Sequence, residues 1–184
     1  KAEDIDSMQL FNQLANQNLN SSPDKSIFYA NKVLNFAEKL QNSDGKSRAY
    51  STLGTAHELK REIGLALNYY EKALVGYETW NDNARIAHLC ERAGRVSIHV
   101  GNYQKAEAFL NRALSGYKTV NNANGKIASL DGLGDICLEK RKFDDAINFF
   151  RQALREAEAS KNIQAQATEL TKIGIAYSDF GNFN

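Results

Sequence analysis

The chain has 184 residues and a formal net charge of +1, and 42% of its residues are hydrophobic. A chain so close to neutral lacks the strongly basic surface that marks nucleic-acid-binding proteins. Its apolar runs are too short to cross a bilayer. We therefore expect neither a nucleic-acid partner nor membrane insertion by this segment.

Small and bulky residues recur in this sequence with a step of 40 residues. Glycine occupies one phase of the pattern four times, at Gly54, Gly94, Gly134 and Gly174. After each of the first three glycines, an alanine follows at twelve residues, a bulky residue at sixteen and another alanine at nineteen. These residues are Ala66, Tyr70 and Ala73; Ala106, Leu110 and Ala113; and Ala146, Phe150 and Ala153. The fixed period is typical of stacked repeats, and the helical spacing predicts two helices per unit.

The repeated glycines and alanines predict close contact between the two helices of each unit. A glycine inside a helix costs roughly 1 kcal/mol relative to alanine, so its return at one phase indicates a packing role. Gly134 and the pair Ala146 and Ala153 would let two antiparallel helices approach closely. Phe150 would then fill the space beside them.

The stretch from Leu130 to Ala153 resembles the tetratricopeptide repeat (TPR). The matching residues, in order, are Leu130, Leu133, Gly134, Cys137, Ala146, Phe150 and Ala153. The resemblance implies an all-α fold, a right-handed superhelical α-solenoid of antiparallel helix pairs, with about four and a half repeats in this chain. The usual TPR unit has about 34 residues, whereas this unit has 40. We expect the extra residues to lengthen the second helix or its exit loop.

The resemblance predicts a single TPR array. Its repeats span 5–41, which is divergent, 46–80, 84–120 and 125–160, followed at 164–184 by the first helix of a truncated fifth repeat. The connectors are rich in Asn, Asp and Gly, which cap helix ends and tolerate a left-handed backbone. Without a second helix in the fifth repeat, Leu170, Ile173, Ala176 and Tyr177 would leave an apolar strip partly uncovered. We expect self-association through that strip.

The sequence contains no recognisable catalytic, cofactor or metal constellation. His88 and His99 stand eleven residues apart on one predicted helix, about 16 Å along its axis, so they cannot share a metal ion. His57 takes a core position of the repeat, and Cys90 and Cys137 also fall on core positions, outside any metal-ligand spacing. We therefore predict a protein that is not an enzyme.

The TPR resemblance implies a concave groove that is lined by the first helices and holds ligand peptides. In phase with the family, the groove residues are Asn12, Asn16, Arg48, Ser51, Thr52, Thr55, His88, Glu91, Arg92, Arg95, His99, Asp131, Asp135, Glu139, Thr171 and Lys172. The wall of the third unit is mainly basic and that of the fourth unit is acidic. Two interpretations follow: Arg92 and Arg95 pair with Asp131 and Asp135 and only keep the groove soluble, or the polarised groove orients a charged peptide.

One TPR subclass holds a C-terminal carboxylate with a clamp of Lys, Asn, Asn, Lys and Arg. Asn16, His88 and Arg92 match or approximate three of these positions, but Asn12 and Thr52 depart from the other two. We therefore do not predict chaperone-tail binding.

Two functional hypotheses remain, and both are non-catalytic. The first is a protein-interaction module that binds a peptide or a partner helix in the groove. The second is a sensory or regulatory segment of a larger protein, because 40-residue units with Asn- and Gly-rich connectors are similar to the N-terminal TPR arrays of bacterial sensor kinases and regulators. Eukaryotic polarity adaptors use 40-residue units too, so this similarity does not fix the kingdom. The compartment stays open between the cytoplasm and the bacterial periplasm.

Overall fold

The computed structural model describes residues 2–181, and within this range the chain folds into nine α-helices without a β-strand. The helices are α1 Ala2–Asn18, α2 Pro23–Lys39, α3 Ser43–Leu59, α4 Ile63–Thr79, α5 Asn83–His99, α6 Tyr103–Thr119, α7 Ala123–Glu139, α8 Phe143–Ala159 and α9 Ile163–Gly181. From α3 onwards, each helix begins twenty residues after the previous one. The 40-residue period of the sequence is therefore twice a 20-residue structural step.

A residue with positive φ sets this step at every turn from α2 to α9. The seven residues are Gln41, Arg61, Asn81, Gly101, Asn121, Arg141 and Lys161. At the first of these turns, the N–H of Asn42 donates to the carbonyl of Ala37 at 2.8 Å, and the N–H of Gln41 donates to Glu38 at 3.1 Å. This pair of bonds is the Schellman motif, which satisfies the last carbonyls of a helix.

At five of these turns, the side chain of the residue after the left-handed position caps the next helix. The side chain of Asn42 accepts from the N–H of Gly45 at 2.8 Å, and Asn122 accepts from Gly125 at 3.0 Å. Because these caps lie so close to the preceding helix, α3 and α7 begin at Ser43 and Ala123. The two helices thus start two or three residues before the predicted positions, and the first and second helices of these units are equally long, with 17 residues each.

The chain forms two compact units, divided between Leu89 and Cys90 inside α5. In the first unit, α1 packs on α2, α2 on α3 and α3 on α4. In the second unit, α6 packs on α7, α7 on α8 and α8 on α9. Packing between neighbours in sequence is the arrangement of repeat proteins. The predicted all-α class of TPR-type helix pairs is confirmed, and the assignment of individual repeats stays a prediction.

Bulky side chains lie across the phase glycines. A β-carbon on Gly54 would lie 2.5 Å from the Tyr70 ring, and one on Gly94 would lie 2.7 Å from Leu110. Phe150 lies across Gly134 in the same way. The alanines on either side are fully buried: Ala66, Ala73, Ala106, Ala113, Ala146 and Ala153. Gly174 differs, because nothing lies within 4 Å of the position its β-carbon would take.

Two further glycines pack where a first helix meets the preceding second helix. Gly125 lies against the ring of Tyr117, and a β-carbon on Gly45 would lie 3.0 Å from Ala37 and from Met8. The sequence pattern placed both glycines in connectors, whereas both lie in the first turn of a helix. The predicted fifth repeat at 164–184 extends outside the described residues.

Replacing Gly134 by leucine should lower the free energy of unfolding by at least about 2 kcal/mol, because the new side chain overlaps Phe150. The matched control is Gly174→Leu, which should change stability by less than about 1 kcal/mol because its surroundings are open. Thermal and denaturant unfolding measure both variants. Equal melting temperatures for wild type and Gly134→Leu would show that the helix pairing described here is wrong.

The left-handed residues yield a second stability prediction. Lys161→Gly should raise the free energy of unfolding by about 1 kcal/mol, because glycine adopts φ > 0 without the steric cost of a β-carbon. Gly101→Ala should have the opposite effect, a loss of about 1 kcal/mol. Denaturant midpoints test the pair, and a shift of both variants in the same direction would contradict the explanation.

Candidate interaction surface

In the first unit, the first helices form a cavity with an apolar floor and a polar rim. The cavity has a volume of about 250 Å³ and lies between α1, α2 and α3. Ile5, Met8 and Val33 supply its apolar atoms, and the predicted residues Asn12 and Arg48 stand on its rim. Apolar walls with a few placed polar groups are typical of ligand-binding cavities.

A second cavity lies between α3, α4 and the first half of α5. Its volume is about 290 Å³, and the predicted residues Ser51 and His88 line it together with Tyr77 and Arg85. Burial raises the pKa of Tyr77 to about 12, so its hydroxyl stays neutral. The Arg85 guanidinium lies 5.3 Å from the centre of the Tyr77 ring, which fixes the arginine over the aromatic face.

An ion-pair cluster links the walls of the two cavities. Asp44 Oδ2 lies 2.6 Å from Arg48 Nε, and Asp44 Oδ1 lies 3.3 Å from Arg85 Nη1. Arg85 also contacts Asp82 at 3.2 Å. Asp44 and Arg48 line the first cavity and Arg85 lines the second. We call the two cavities and this cluster the first-helix surface.

The structure places the predicted groove residues in three environments. Exposed residues are Asn16, Arg48, His88, Arg95 and His99. Half-buried residues are Asn12, Thr55, Arg92, Asp131, Asp135 and Lys172. Thr52 is buried with 7% of its surface exposed, in contrast to its predicted place on the groove. It faces inward because it belongs to the buried arc of α3 that also contains Ala49 and Ala56.

In the second unit, Lys172 of α9 binds both groove aspartates of α7. Its Nζ lies 2.5 Å from Asp131 and 2.7 Å from Asp135. Arg95 Nη1 lies 3.8 Å from Glu91 on its own helix, and the pairing of Arg92 and Arg95 with the two aspartates stays a prediction. Burial lowers the pKa of Lys172, but its bonds to the two carboxylates outweigh burial, so its pKa lies above the usual range.

A buried glutamate lies beside this cluster, and the sequence analysis missed it. Glu169 has 1% of its surface exposed, and its Oε2 has no hydrogen-bond partner among the described residues. Burial, with further contributions from Asp131 and Asp135, raises its pKa to about 7. The 40-residue period could have revealed this burial. The equivalent residues 40, 80 and 120 positions earlier are Ser129, Leu89 and Ala49, which are small or apolar and are all buried.

The remaining candidate side chains have structural environments. His57 stacks on Tyr69 at 5.3 Å, and its Nδ1 lies 2.5 Å from Glu62. Cys90 is buried, whereas Cys137 is only half-buried, and they form no disulfide within the described residues. Within residues 2–181, no group of three or more His, Cys, Asp or Glu side chains could hold a metal ion. The same range contains no helix with the length and apolarity needed to cross a membrane.

Comparison with known proteins gives one family match. Residues 83–159 match the family model described as tetratricopeptide repeat. No curated protein matches the chain.

Several solved structures share the fold. The STAND protein (Signal Transduction ATPase with Numerous Domains) with a tetratricopeptide repeat sensor from Pyrococcus horikoshii superposes with a TM-score of 0.84 and 17% identity, over 92% of this chain and 27% of that one. The nearly identical TPR-like repeats of a putative kinesin light chain from Podosopora anserina superpose with a TM-score of 0.78 and 14% identity, over 95% of this chain and 87% of that one. Aspartyl phosphate phosphatase F from Bacillus subtilis superposes with a TM-score of 0.65 and 14% identity, over 96% of this chain and 50% of that one.

The fold and the family match define the class, a helical-repeat protein of the kind that serves as a protein-interaction scaffold. Residues 83–159 match the tetratricopeptide-repeat family, and the described helices share the fold of solved TPR proteins. It spans about a quarter of the STAND protein, 27% of that chain. Proteins of this family are typically non-catalytic.

The buried glutamate predicts a dependence of stability on pH. The folded-state pKa of Glu169, about 7, lies above its ordinary value of 4.5, so the folded state binds the proton more tightly. Its contribution to stability is complete below pH 4.5 and is lost as pH rises through 7. In the wild-type chain, the free energy of unfolding should fall by about 2–3 kcal/mol across this window, and Glu169→Gln should abolish this fall.

Denaturant unfolding at pH 5 and pH 8 measures this effect. The matched control is Glu158→Gln on α8, where an exposed glutamate is replaced; this variant should keep the wild-type dependence on pH. If Glu169→Gln kept that dependence as well, Glu169 would not be its source.

Proposed function

We propose that this chain is a protein-interaction module that binds an extended polypeptide segment on the first-helix surface. The observation that carries the proposal is the pair of cavities in the first unit. Asn12 and Arg48 line one cavity, and Ser51 and His88 line the other. All four residues belong to the first helices, as the TPR resemblance implied.

The chemistry of the cavities indicates what the bound segment carries. The first cavity suits an apolar side chain, which would leave water for contact with Ile5, Met8 and Val33. The amide of Asn12 on its rim can donate to, and accept from, the backbone of an extended segment. In the second cavity, Ser51 and Tyr77 offer hydroxyl groups to a polar side chain.

Charge adds little to this binding. Arg48 and Arg85 are bound to Asp44, so the first unit offers guanidinium groups whose charge is largely balanced. The cavities would therefore hold the segment through apolar contacts and hydrogen bonds.

A second candidate function is a sensory or regulatory segment of a larger protein. The observation that favours it is the similarity to the STAND protein, whose tetratricopeptide repeats are described as a sensor. The two candidate functions differ in whether the chain acts alone or through another domain of the same polypeptide. An interaction module binds its ligand as an isolated segment, whereas a regulatory segment changes the activity of a domain in the same polypeptide.

Blocking the second cavity tests the interaction module. Ser51→Tyr should place a ring in the cavity and weaken bound peptides at least about tenfold, because the ligand side chain loses its place. The matched control is Asn68→Tyr, an equal enlargement at an exposed position of the second helix α4. Peptides selected from a random display library on the wild-type chain provide the ligands, and fluorescence anisotropy gives the affinities.

The two variants together show whether a peptide binds the first-helix surface or another part of the molecule. Peptides that lose affinity for Ser51→Tyr and keep it for Asn68→Tyr place the ligand on the first-helix surface. Peptides that bind both variants as tightly as wild type would contradict the proposal. Circular dichroism of both variants checks that the helices are retained.

A further inference from the structure

A further cavity lies in the second unit, between α6, the end of α7 and the start of α8. Its volume is about 300 Å³, a size at which sites for small ligands begin. Leu133, Ile136 and Phe149 supply its apolar atoms, and Cys137 lines it beside them. We call it the α7–α8 cavity. The two cavities of the first-helix surface are lined by other residues.

The first unit shows what the repeat places in the equivalent space. The helix α3 precedes α7 by two 40-residue periods, and α4 precedes α8 by the same distance. His57 is therefore equivalent to Cys137, and Tyr69 is equivalent to Phe149. The His57 ring stacks on Tyr69, with 5.3 Å between the ring centres and 11° between the ring planes. Its Nδ1 lies 2.5 Å from Glu62, and only 11% of the side chain is exposed, so an imidazole fills this space in the first unit.

Cysteine leaves the equivalent space open in the second unit. The Cys137 side chain ends at Sγ and has no ring to stack on Phe149, which lines the cavity and is half-buried. Burial, followed by the charges of Asp145 and Glu107, raises the pKa of Cys137. The thiol is therefore protonated at neutral pH and is a poor nucleophile. The cavity thus suits a ligand that is held without a covalent bond.

Charged side chains on the rim define the polarity of a fitting ring. Lys140 and Glu107 bind each other, with 3.1 Å between Nζ and Oε2. Lys142 and Asp145 also line the cavity. Because an ammonium group only donates hydrogen bonds and a carboxylate only accepts them, a fitting ring carries one acceptor and one donor. Neutral imidazole has this pair of nitrogens.

We propose that the α7–α8 cavity binds a small molecule with an imidazole-type ring, which stacks on Phe149 between Lys142 and Asp145. One ring nitrogen accepts a hydrogen bond from Lys142, and the other donates one to Asp145. Stacking also removes the apolar atoms of Leu133 and Ile136 from water. This site is separate from the first-helix surface, so the inference stands whether or not a peptide binds there.

Benzimidazole serves as the probe, because it carries both nitrogens and adds apolar area for the stack on Phe149. It is titrated into the full chain, and NMR follows the methyl groups of Leu133 and Ile136. We expect saturable shifts of these methyl groups. The methyl groups of Leu53, the equivalent of Leu133 in the first unit, should stay unchanged because His57 already fills the space beside them.

Filling the cavity from within tests the site. Cys137→His should weaken benzimidazole binding at least about tenfold, because its imidazole takes the place of the ligand ring as His57 does in the first unit. Cys137→Ser, which keeps the cavity open, should bind the probe as the wild-type chain does. Lys142→Met should weaken binding about fivefold, because the acceptor nitrogen loses its donor. Circular dichroism and denaturant unfolding check that the variants remain folded.

Three results would overturn the proposal. The first is no saturable shift at Leu133 and Ile136, which would mean that water alone fills the cavity. The second is equal binding by the wild-type chain and Cys137→His. The third is equal binding by the wild-type chain and Lys142→Met, because the ring would then be held by its apolar area alone. Ser51→Tyr should leave benzimidazole binding unchanged, which distinguishes this site from the first-helix surface.

Discussion

The fold depends on the left-handed residue that ends each helix from α2 to α8. Its positive φ closes the Schellman motif and lets the following helix begin after a turn of constant length. The step from helix to helix is therefore always twenty residues. Because the step is constant, positions 40 residues apart take equivalent places, and the same contacts can form in each repeat. Six of these seven residues are not glycine, so this geometry is maintained against a steric cost.

The contacts that this register permits determine which side chains reach the surface. Tyr70, Leu110 and Phe150 each lie across a glycine, which holds the second helix close and turns one face of the first helix outward. Asn12, Arg48, Ser51 and His88 stand on that outward face and line the two cavities of the first unit. The packing of the repeat and the proposed binding surface are two faces of the same helices.

The sequence predicted the fold well because its main signal, small residues at a fixed phase, reports directly on helix contact. The position of Gly134 against Phe150 follows from spacing alone. Gly45 and Gly125 were placed in connectors, because residues that favour turns also occupy the first turn of a helix. Side-chain partners were harder to predict. The pairing of Lys172 with Asp131 and Asp135 depends on how α9 sits on α7, and the burial of Glu169 depends on the same packing. The charge pattern of the sequence predicts neither the pairing of Lys172 nor the burial of Glu169. The 40-residue period does place position 169 among buried positions.

Changing the length of one turn tests the central constraint most directly. Asn121 has a φ of 50° and connects α6 to α7. Its deletion would rotate α7 by about 100° relative to α6 and remove Gly125 from Tyr117. Denaturant unfolding of this deletion, compared with Asn121→Ala, is the measurement. We predict that the free energy of unfolding falls by several kcal/mol for the deletion and by about 1 kcal/mol for the substitution. Equal unfolding free energies for the two variants would contradict the claim that the twenty-residue step holds the fold together.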